Sequence, residues 1–214
     1  GSKLLENTKT ESVKQEFVEL FKRYGLPKVI QSDNGSPFAS RSNVQGISQL
    51  SAWLISLGIH INLSRPGHPQ DNGGHERMHR DLKESVQVRY RKSAKQYQFD
   101  LDLWRDEFNK IRPHEALDMK TPSDVYCKSN RKYSNELIII DYPGDYMVRK
   151  VMKDGYIKIN NISLLITSAL REYYVGLKVV DSHELAVYFV QVFLGIINLK
   201  TASFKPMTLE KYEK

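Results

Sequence analysis

The stretch LPKVIQSDNGSPF, residues 26–38, joins the end of a helix to a short strand and a sharp turn. Pro27 prevents the preceding helix from continuing, and the apolar pair Val29 and Ile30 is typical of a buried strand. Residues 32–35, Ser-Asp-Asn-Gly, form a turn signal. Asp33 is therefore expected just past the carboxyl end of a strand, the side on which parallel sheets usually bind ligands.

Helices and strands alternate on both sides of this stretch. Apolar residues at helical spacing predict a helix that ends at Gly25, a second over 44–57, a third from 72 to about 93, and a fourth over 101–111. Residues 59–63 predict another strand, followed by a loop rich in proline and glycine. This alternation predicts an α/β fold with parallel strands.

The second part of the chain has a composition typical of a β domain. From residue 137 onward, β-branched and aromatic residues dominate between turn signals. Asp154-Gly155 predicts a hairpin that joins strands at 148–151 and 156–159. Strands at this spacing predict a small antiparallel sheet or barrel. The predicted ranges are an α/β core at 3–120, a linker at 121–135, a β domain at 136–205 and a basic tail at 206–214.

Composition bounds the function without choosing it. The 214 residues carry a net charge of +7, which fits a polyanionic partner such as nucleic acid and equally fits a solvated basic surface. Cys127 is the single cysteine, so an intramolecular disulfide and a cysteine-based zinc cluster are excluded. The sequence contains no run of 18 apolar residues, so a membrane partner is not expected.

Residues 75–79, His-Glu-Arg-Met-His, match the H-E-x-x-H pattern of zinc metalloproteases. The context argues against that function. Gly73-Gly74 place the motif in the first turn of its helix, and Leu82 stands where the extended protease pattern has a glycine. The metalloprotease is therefore the least favoured interpretation. A further alternative is that Glu76 is a solvated helix residue beside two incidental histidines.

Asp33 and Glu76 together suggest a different chemistry. Two carboxylates brought close repel each other unless a cation joins them. Hard oxygen ligands suit Mg²⁺ or Mn²⁺, and a pair of such ions serves phosphodiester chemistry. The alternative for Asp33 is a turn-forming residue without a ligand. Arg80 and Lys83 share a helix face with Glu76, and Arg77 adds charge on the same helix, which fits either a polyanionic substrate or a solvated face.

Three blocks in order resemble the integrase-core transposases of bacterial insertion sequences, relatives of retroviral integrases. They are YGLPKVIQSDNGSPF, RPGHPQDNGGHERMHRDLK and FNKIRPHEALDMKTPSDVY. The resemblance implies a ribonuclease-H-like catalytic core, incomplete at its N-terminus, followed by a small all-β, SH3-like barrel. It also implies a DDE triad that uses two Mg²⁺ or Mn²⁺ ions to cut DNA and join its 3′ end to a target. Asp33 resembles the second acid of that triad and Glu76 the third.

The same resemblance assigns roles to further residues. Lys83 lies where the family has a basic residue that contacts the DNA end, and the block at 112–114 is expected to be structural or to contact DNA. The expected DNA-binding residues are Arg77, Arg80, Lys83, Arg112 and His114, and the expected site-shaping residues are Asn34, Gly35, His68 and Asn72. The implied partners are DNA, as transposon ends and target, and further copies of the chain. The implied location is the bacterial cytoplasm, at the nucleoid.

Two departures from the family pattern qualify the expected activity. There are 42 residues between Asp33 and Glu76, more than the thirty-five common in the family, and no aspartate precedes Asp33. Because Gly1-Ser2 looks like a cloning remnant, we expect a chain that begins inside the core, or else a naturally truncated gene. In either case we expect it to be inactive alone. The alternative function is a non-catalytic DNA-binding relic or regulator of transposition.

Overall fold

The computed structural model describes residues 3–5, 7, 9–40, 45–64, 73–86, 93–135 and 139–207. The chain divides into two compact units: Gly1–Pro27 with Gly67–Tyr133, and Lys28–Pro66 with Ser134–Lys214. Among the described residues, the first unit is helical and the second holds the β-strands. None of the helices in these ranges is long and apolar enough to cross a membrane.

The described part of the first unit contains four α-helices. Helix α3 packs on α4 through Met78, Leu82 and Val86, which meet Leu101 and Trp104. The first three of these recur every four residues, so one side of α3 is apolar and is turned towards its neighbour. The helices of this unit are α1 (Thr10–Tyr24), α3 (Gly73–Ser85), α4 (Ala94–Lys110) and the short α5 (Pro122–Val125).

The second unit begins with a parallel pair of strands and one helix. Strand β1 (Val29–Ser32) pairs in parallel with β2 (His60–Leu63), from Val29 opposite His60 to Ser32 opposite Leu63. Helix α2 (Gln49–Ser56) connects them and is almost wholly buried. Most residues of this helix are apolar, so the helix has no polar side to turn towards water. Leu50 and Leu54 are fully buried.

The rest of the second unit is antiparallel β structure. Five strands pair in the order β3-β6-β7-β8-β9, and β4 pairs with β5 as a separate hairpin. The core of the unit is shared, because Ile47, Ala52 and Ile55 belong to one buried cluster with residues of the β-strands. The strands are β3 (Tyr146–Lys150), β4 (Tyr156–Ile159), β5 (Ile162–Leu165), β6 (Tyr174–Val179), β7 (Glu184–Phe189), β8 (Val192–Asn198) and β9 (Ser203–Pro206).

The class predictions are confirmed and one pairing prediction is wrong. The first part of the chain contains the predicted parallel strands, and the second part contains the predicted antiparallel β structure. The hairpin predicted at Asp154-Gly155 is absent from the described pairing, because β3 pairs with β6 while β4 pairs with β5. The chain does turn at Gly155, which has a φ of 90°. The β4–β5 hairpin instead turns at Asn160-Asn161, where Asn160 has a φ of 51°.

Three helices differ in extent from the predictions. Helix α3 ends at Ser85 rather than near 93, and Ser93 is instead the N-cap of α4. Helix α2 begins at Gln49 rather than at 44, because the Ser48 hydroxyl caps it by accepting a hydrogen bond from the Ser51 backbone N–H at 3.0 Å. Helix α4 begins at Ala94 rather than at 101, behind a capping box made by Ser93 and Gln96. Both starts follow local capping chemistry, whereas the predictions followed apolar spacing alone.

The compact units divide the chain differently from the predicted domain ranges. The predicted ranges follow chain order, with a core at 3–120 and a β domain at 136–205. The units instead group Lys28–Pro66 with the segment that begins at Ser134. The basic tail predicted at 206–214 lies mostly outside the described residues. The predicted boundaries stay a prediction about how the protein divides into domains.

Tyr142 packs on the outer face of the five-stranded sheet and is hydrogen-bonded to its backbone. Its hydroxyl donates to the Tyr174 carbonyl oxygen at 2.9 Å and accepts from the Val190 backbone N–H at 3.1 Å. Its ring lies over Gly176, where a Cβ would overlap it. Burial raises the pKa of Tyr142 from 10.0 to about 12. The neutral phenol is therefore the form that the folded state stabilises.

We expect Tyr142→Phe to lower the free energy of unfolding by about 0.5 to 1.5 kcal/mol, because it removes the hydrogen bonds that the Tyr142 hydroxyl makes with the backbone of Tyr174, Tyr188 and Val190. Urea unfolding followed by circular dichroism measures this change. Since the folded pKa is raised, the stabilisation from Tyr142 is full below pH 10 and is lost as the pH rises towards 12. Tyr156→Phe is the matched control, because the Tyr156 side chain is 36% exposed. Equal effects of the two substitutions would contradict this role.

Candidate active-site residues and a basic helix face

Asp33 lies at the carboxyl edge of the parallel strand pair. Because Ser32 is opposite Leu63 at the end of the register, β1 and β2 end together. Asp33 is the next residue after β1 and is exposed. Its Oδ1 accepts a hydrogen bond from the Gly35 backbone N–H at 3.0 Å. The Oδ2 atom points to no such partner among the described residues, so this carboxylate has an oxygen available for a ligand.

Asn34 and Gly35 hold the loop that carries Asp33. The Asn34 side-chain amide donates to the Ser64 carbonyl oxygen at 2.6 Å and so ties the end of β1 to the end of β2. The Ser64 backbone N–H in turn donates to the Ser32 carbonyl oxygen at 3.0 Å. A Cβ at Gly35 would lie 3.0 Å from Oδ1 of Asp33, so a larger residue would displace that carboxylate by a few tenths of an ångström. The site-shaping role of these two residues stays a prediction.

Glu76 lies in the first turn of α3, on the side away from the apolar contacts. The side chains of Glu76, Arg80 and Lys83 are all exposed. Positions four and seven residues apart lie one above the other on a helix, so the three form one exposed face. The positive end of the helix dipole stabilises a carboxylate in the first turn.

Within the described residues, the cations of this face form no ion pairs with nearby acids. Among the described residues, Arg80 and Lys83 form no ion pair with the neighbouring carboxylates of Asp81 and Glu84. Asp81 pairs instead with Arg112. Arg77 is exposed on the flank of α3, with its Nε 3.5 Å from the Gly73 carbonyl oxygen. An exposed carboxylate beside two uncompensated cations is a surface that attracts an anion.

Arg112 and His114 have structural contacts. Arg112 joins the end of α4 to α3 through its ion pair with Asp81. His114 is half-buried, with its Nε2 atom 3.1 Å from the Phe108 carbonyl oxygen and its ring edge-on to the Phe108 ring at 4.5 Å. Of the two roles that the sequence left open for this block, these contacts favour the structural one.

The end of the same sequence block forms a helix cap. Asp124 and Thr121 make a capping box at the start of α5. The backbone N–H of Thr121 donates to Asp124 Oδ2 at 2.8 Å, and this hydrogen bond lowers the pKa of the Asp124 carboxyl group. The block therefore owes its Thr-Pro-Ser-Asp sequence to the start of a helix.

The predicted site residues fall into two groups, one in each unit. Asp33, Asn34 and Gly35 lie together at the strand edge, and the charged residues of α3 lie in the other unit with Arg112 and His114. His68 and Asn72 are outside the described residues. Within the described ranges there is no cluster of three or more His, Cys, Asp or Glu side chains placed to hold a metal ion.

Two residues that position the site were missed in the sequence. Ser64 receives the Asn34 amide, and Asp81 holds Arg112. Ser64 could have been identified from the sequence, because it directly follows the second predicted strand. In a parallel pair, a residue at that position lies near the end of the first strand. The role of Asp81 could not be identified from the sequence, since its partner is distant in sequence and its neighbouring residues do not distinguish it from a solvated acid.

Residues 57–122 match the integrase core domain family. This match confirms the resemblance to integrase-core proteins that the sequence blocks indicated. It covers the whole of α3, with Glu76 and the basic face. Asp33 lies before it.

Two curated relatives represent the viral and bacterial sides of the similarity. The chain is 44% identical over 68 residues to the Gag-Pol polyprotein of Baboon endogenous virus (strain M7), covering 32% of this chain and 4% of the polyprotein. It is 27% identical over 105 residues to the insertion element IS407 uncharacterized 31.7 kDa protein of Burkholderia multivorans (strain ATCC 17616 / 249). That alignment covers 49% of this chain and 35% of the relative. The chain thus spans only a minor part of each.

Among solved structures, the catalytic core domain of BIV integrase is 25% identical to this chain. The superposition covers 59% of this chain and 76% of that one, with a TM-score of 0.44.

We expect Asn34→Ala to lower the free energy of unfolding by about 0.5 to 1.5 kcal/mol, because it removes one of the two side-chain hydrogen bonds described between the ends of β1 and β2. The other, from the Ser64 hydroxyl to the Ser32 carbonyl oxygen at 3.2 Å, does not involve Asn34. Chemical denaturation measures the change. Asn130→Ala is the matched control, since Asn130 is exposed and its side chain makes no hydrogen bond within the described residues. A destabilisation no larger than that of the control would show that Asn34 does not hold the strand ends together.

Proposed function

We propose that this chain is part of a DNA transposase that cleaves phosphodiester bonds and transfers DNA strands with divalent metal ions. The observation that carries the proposal is the position of Glu76. This acid lies on an exposed face with Arg80 and Lys83, inside the segment that matches the integrase core domain. The relatives come from insertion elements and retroviral polyproteins, which supports an action on DNA.

The donor chemistry fits Mg²⁺ or Mn²⁺. Asp33 and Glu76 are exposed carboxylates, and hard oxygen ligands of this kind suit both ions. In our proposal these two residues are the metal ligands contributed by this chain. When bound, a pair of such ions would activate the attacking oxygen and stabilise the leaving oxygen of a phosphodiester.

The chain's own residues account for binding and orientation. Gly35 fixes the Asp33 carboxylate through its backbone N–H, so this ligand is held in place before a metal arrives. Arg80 and Lys83 bind the phosphates of the DNA end beside Glu76, and Arg77 extends the contact along α3. Arg112 acts through Asp81, because their ion pair sets how α3 packs on α4.

The missing acid limits what this polypeptide does alone. No aspartate precedes Asp33 in the sequence, so the chain supplies two carboxylates of a three-acid set. We therefore propose that it is inactive without a further segment that brings the third. The same observation supports the second candidate function, a non-catalytic DNA-binding protein that regulates transposition. In both cases the site of action is DNA at the bacterial nucleoid.

In a protein that also carries the third acid, we expect Asp33→Asn and Glu76→Gln each to abolish nicking of supercoiled DNA in Mn²⁺ while DNA binding persists. Each change removes a metal ligand and leaves the shape of the side chain almost intact. Glu84→Gln is the matched control, because Glu84 is an exposed acid on the same helix. Nicking that survives either ligand substitution would refute the assignment. Strand transfer in Mg²⁺ by this polypeptide alone would refute the proposed dependence on a third acid.

We expect the double variant Arg80→Gln/Lys83→Gln to weaken DNA binding and to flatten its dependence on salt. Each lost phosphate contact reduces the slope of log K against log salt concentration by about 0.9. Fluorescence anisotropy with duplex DNA between low and moderate salt measures both quantities. The control is Lys22→Gln/Arg23→Gln on α1, which removes the same net charge elsewhere. Equal slopes for the two double variants would assign the effect to net charge rather than to this face.

A further inference from the structure

The predicted linker includes a segment that is docked on the end of α1. This segment, residues 126–133, is called the strap below. At one end of the strap, the Tyr126 ring lies edge-on to the Tyr24 ring, with their centroids 6.0 Å apart. At the other end, the Tyr133 ring lies 6.2 Å from the Phe21 ring. Aromatic contacts with α1 therefore hold both ends of the strap.

Between these rings, the strap binds the backbone groups at which α1 ends. The last carbonyl groups of a helix have no partner within the helix. The Ser129 backbone N–H donates to the Tyr24 carbonyl oxygen at 3.2 Å, and its hydroxyl donates to the Leu26 carbonyl oxygen at 2.6 Å. The Arg131 carbonyl oxygen accepts from the Leu26 N–H at 2.7 Å, and its guanidinium donates to the Pro27 carbonyl oxygen at 2.9 Å. Since Leu26 is buried, release of the strap must bring water to its backbone groups.

Gly25 is the residue that permits this docking. Its φ is 79°, and a Cβ there would lie 2.5 Å from the Ser129 carbonyl oxygen and 2.9 Å from the Arg131 carbonyl oxygen. Both oxygens belong to the backbone, so a change of rotamer cannot relieve the overlap. A side chain at position 25 and a docked strap therefore exclude each other.

The strap is the part of the first unit that is held least firmly. The structure describes it throughout, and it has no fully buried side chain and no helix or strand. Helix α4, in contrast, is anchored by Leu101 and Trp104, which are both buried. Segments with few buried apolar contacts open locally at a lower free energy than packed helices do. The strap can therefore leave α1 while the rest of the unit stays folded.

We propose that the strap is a releasable fastening that sets the length of free chain between the two units. The first unit ends at Tyr133, so the free connection starts there while the strap is docked. On release, the whole strap joins that connection and adds up to about 27 Å of reach. The same connection thus has a short and a long state. This inference does not depend on the proposed transposase function.

Limited trypsin digestion of the intact chain, with initial cleavage rates measured by mass spectrometry, tests the proposal. The strap contains three cleavage sites, after Lys128, Arg131 and Lys132. We expect Gly25→Ala to raise the cleavage rate in the strap by about 10-fold or more, because strain in the docked form raises the open population. Cleavage after Arg105, inside α4, keeps the rate of the unchanged chain. Gly144→Ala is the matched control, because a Cβ at that position meets nothing within 4 Å.

Ser129→Ala is a milder second variant. It removes the hydroxyl that bonds to Leu26 and places no strain on α1, so we expect cleavage in the strap to be about 3- to 10-fold faster. If Gly25→Ala accelerates cleavage after Arg105 as much as in the strap, the strap opens only with its unit and the proposal is overturned. It is equally overturned if neither variant changes cleavage, or if the unchanged strap is cut as fast as in urea.

Cys127 provides a measurement that needs no protease. It is the single cysteine of the chain, it is exposed and it lies in the strap. A nitroxide attached to its sulfur reports the motion of the strap by electron paramagnetic resonance. We expect a restricted spectrum for the unchanged chain and a growing fast component in Gly25→Ala and in Ser129→Ala, with unchanged circular dichroism. A fast spectrum already present in the unchanged chain would contradict a docked strap.

Discussion

The parallel register of β1 and β2 is the constraint on which the acidic end of the candidate site depends. Each strand has only four residues, so a slip of one position would move Asp33 away from the end of β2 and reverse the face of every side chain. The hydrogen bond from Asn34 to the Ser64 carbonyl closes the pair at that end. The turn that follows β1 therefore has two functions, since it ends a strand and presents a carboxylate.

Helix α3 positions the other charged residues of the candidate site through its packing on α4. Its side towards α4 is apolar at Met78 and Leu82, while its outer side carries Glu76 and two cations. The apolar contacts fix the rotation of the helix about its own axis, and that rotation decides which side chains face solvent. The charged face is thus a consequence of packing on the opposite side of the helix, and Arg112 reinforces it through Asp81.

Much of the fold was predictable where a local pattern decided it. The strand before Asp33 and the antiparallel second part follow from apolar spacing and turn residues. The burial predicted for that strand is wrong, because Val29 is 50% exposed. The strand pairing around Gly155 was not predictable, because a turn signal states where the chain reverses and not which neighbours the strands choose. For the candidate site, the sequence could identify acids and cations but not the partners that hold them, such as Ser64 and Asp81.

The buried cluster of the second unit joins segments that are far apart in the chain. Gln45, inside that unit, donates from its side-chain amide to the carbonyl oxygen of Ile166 at 3.1 Å, across 121 positions of sequence. Contacts of such separation form late, because the intervening chain must first be closed into a loop. During synthesis, the apolar helix α2 therefore stays uncovered until the ribosome has produced the β-strands that bury it.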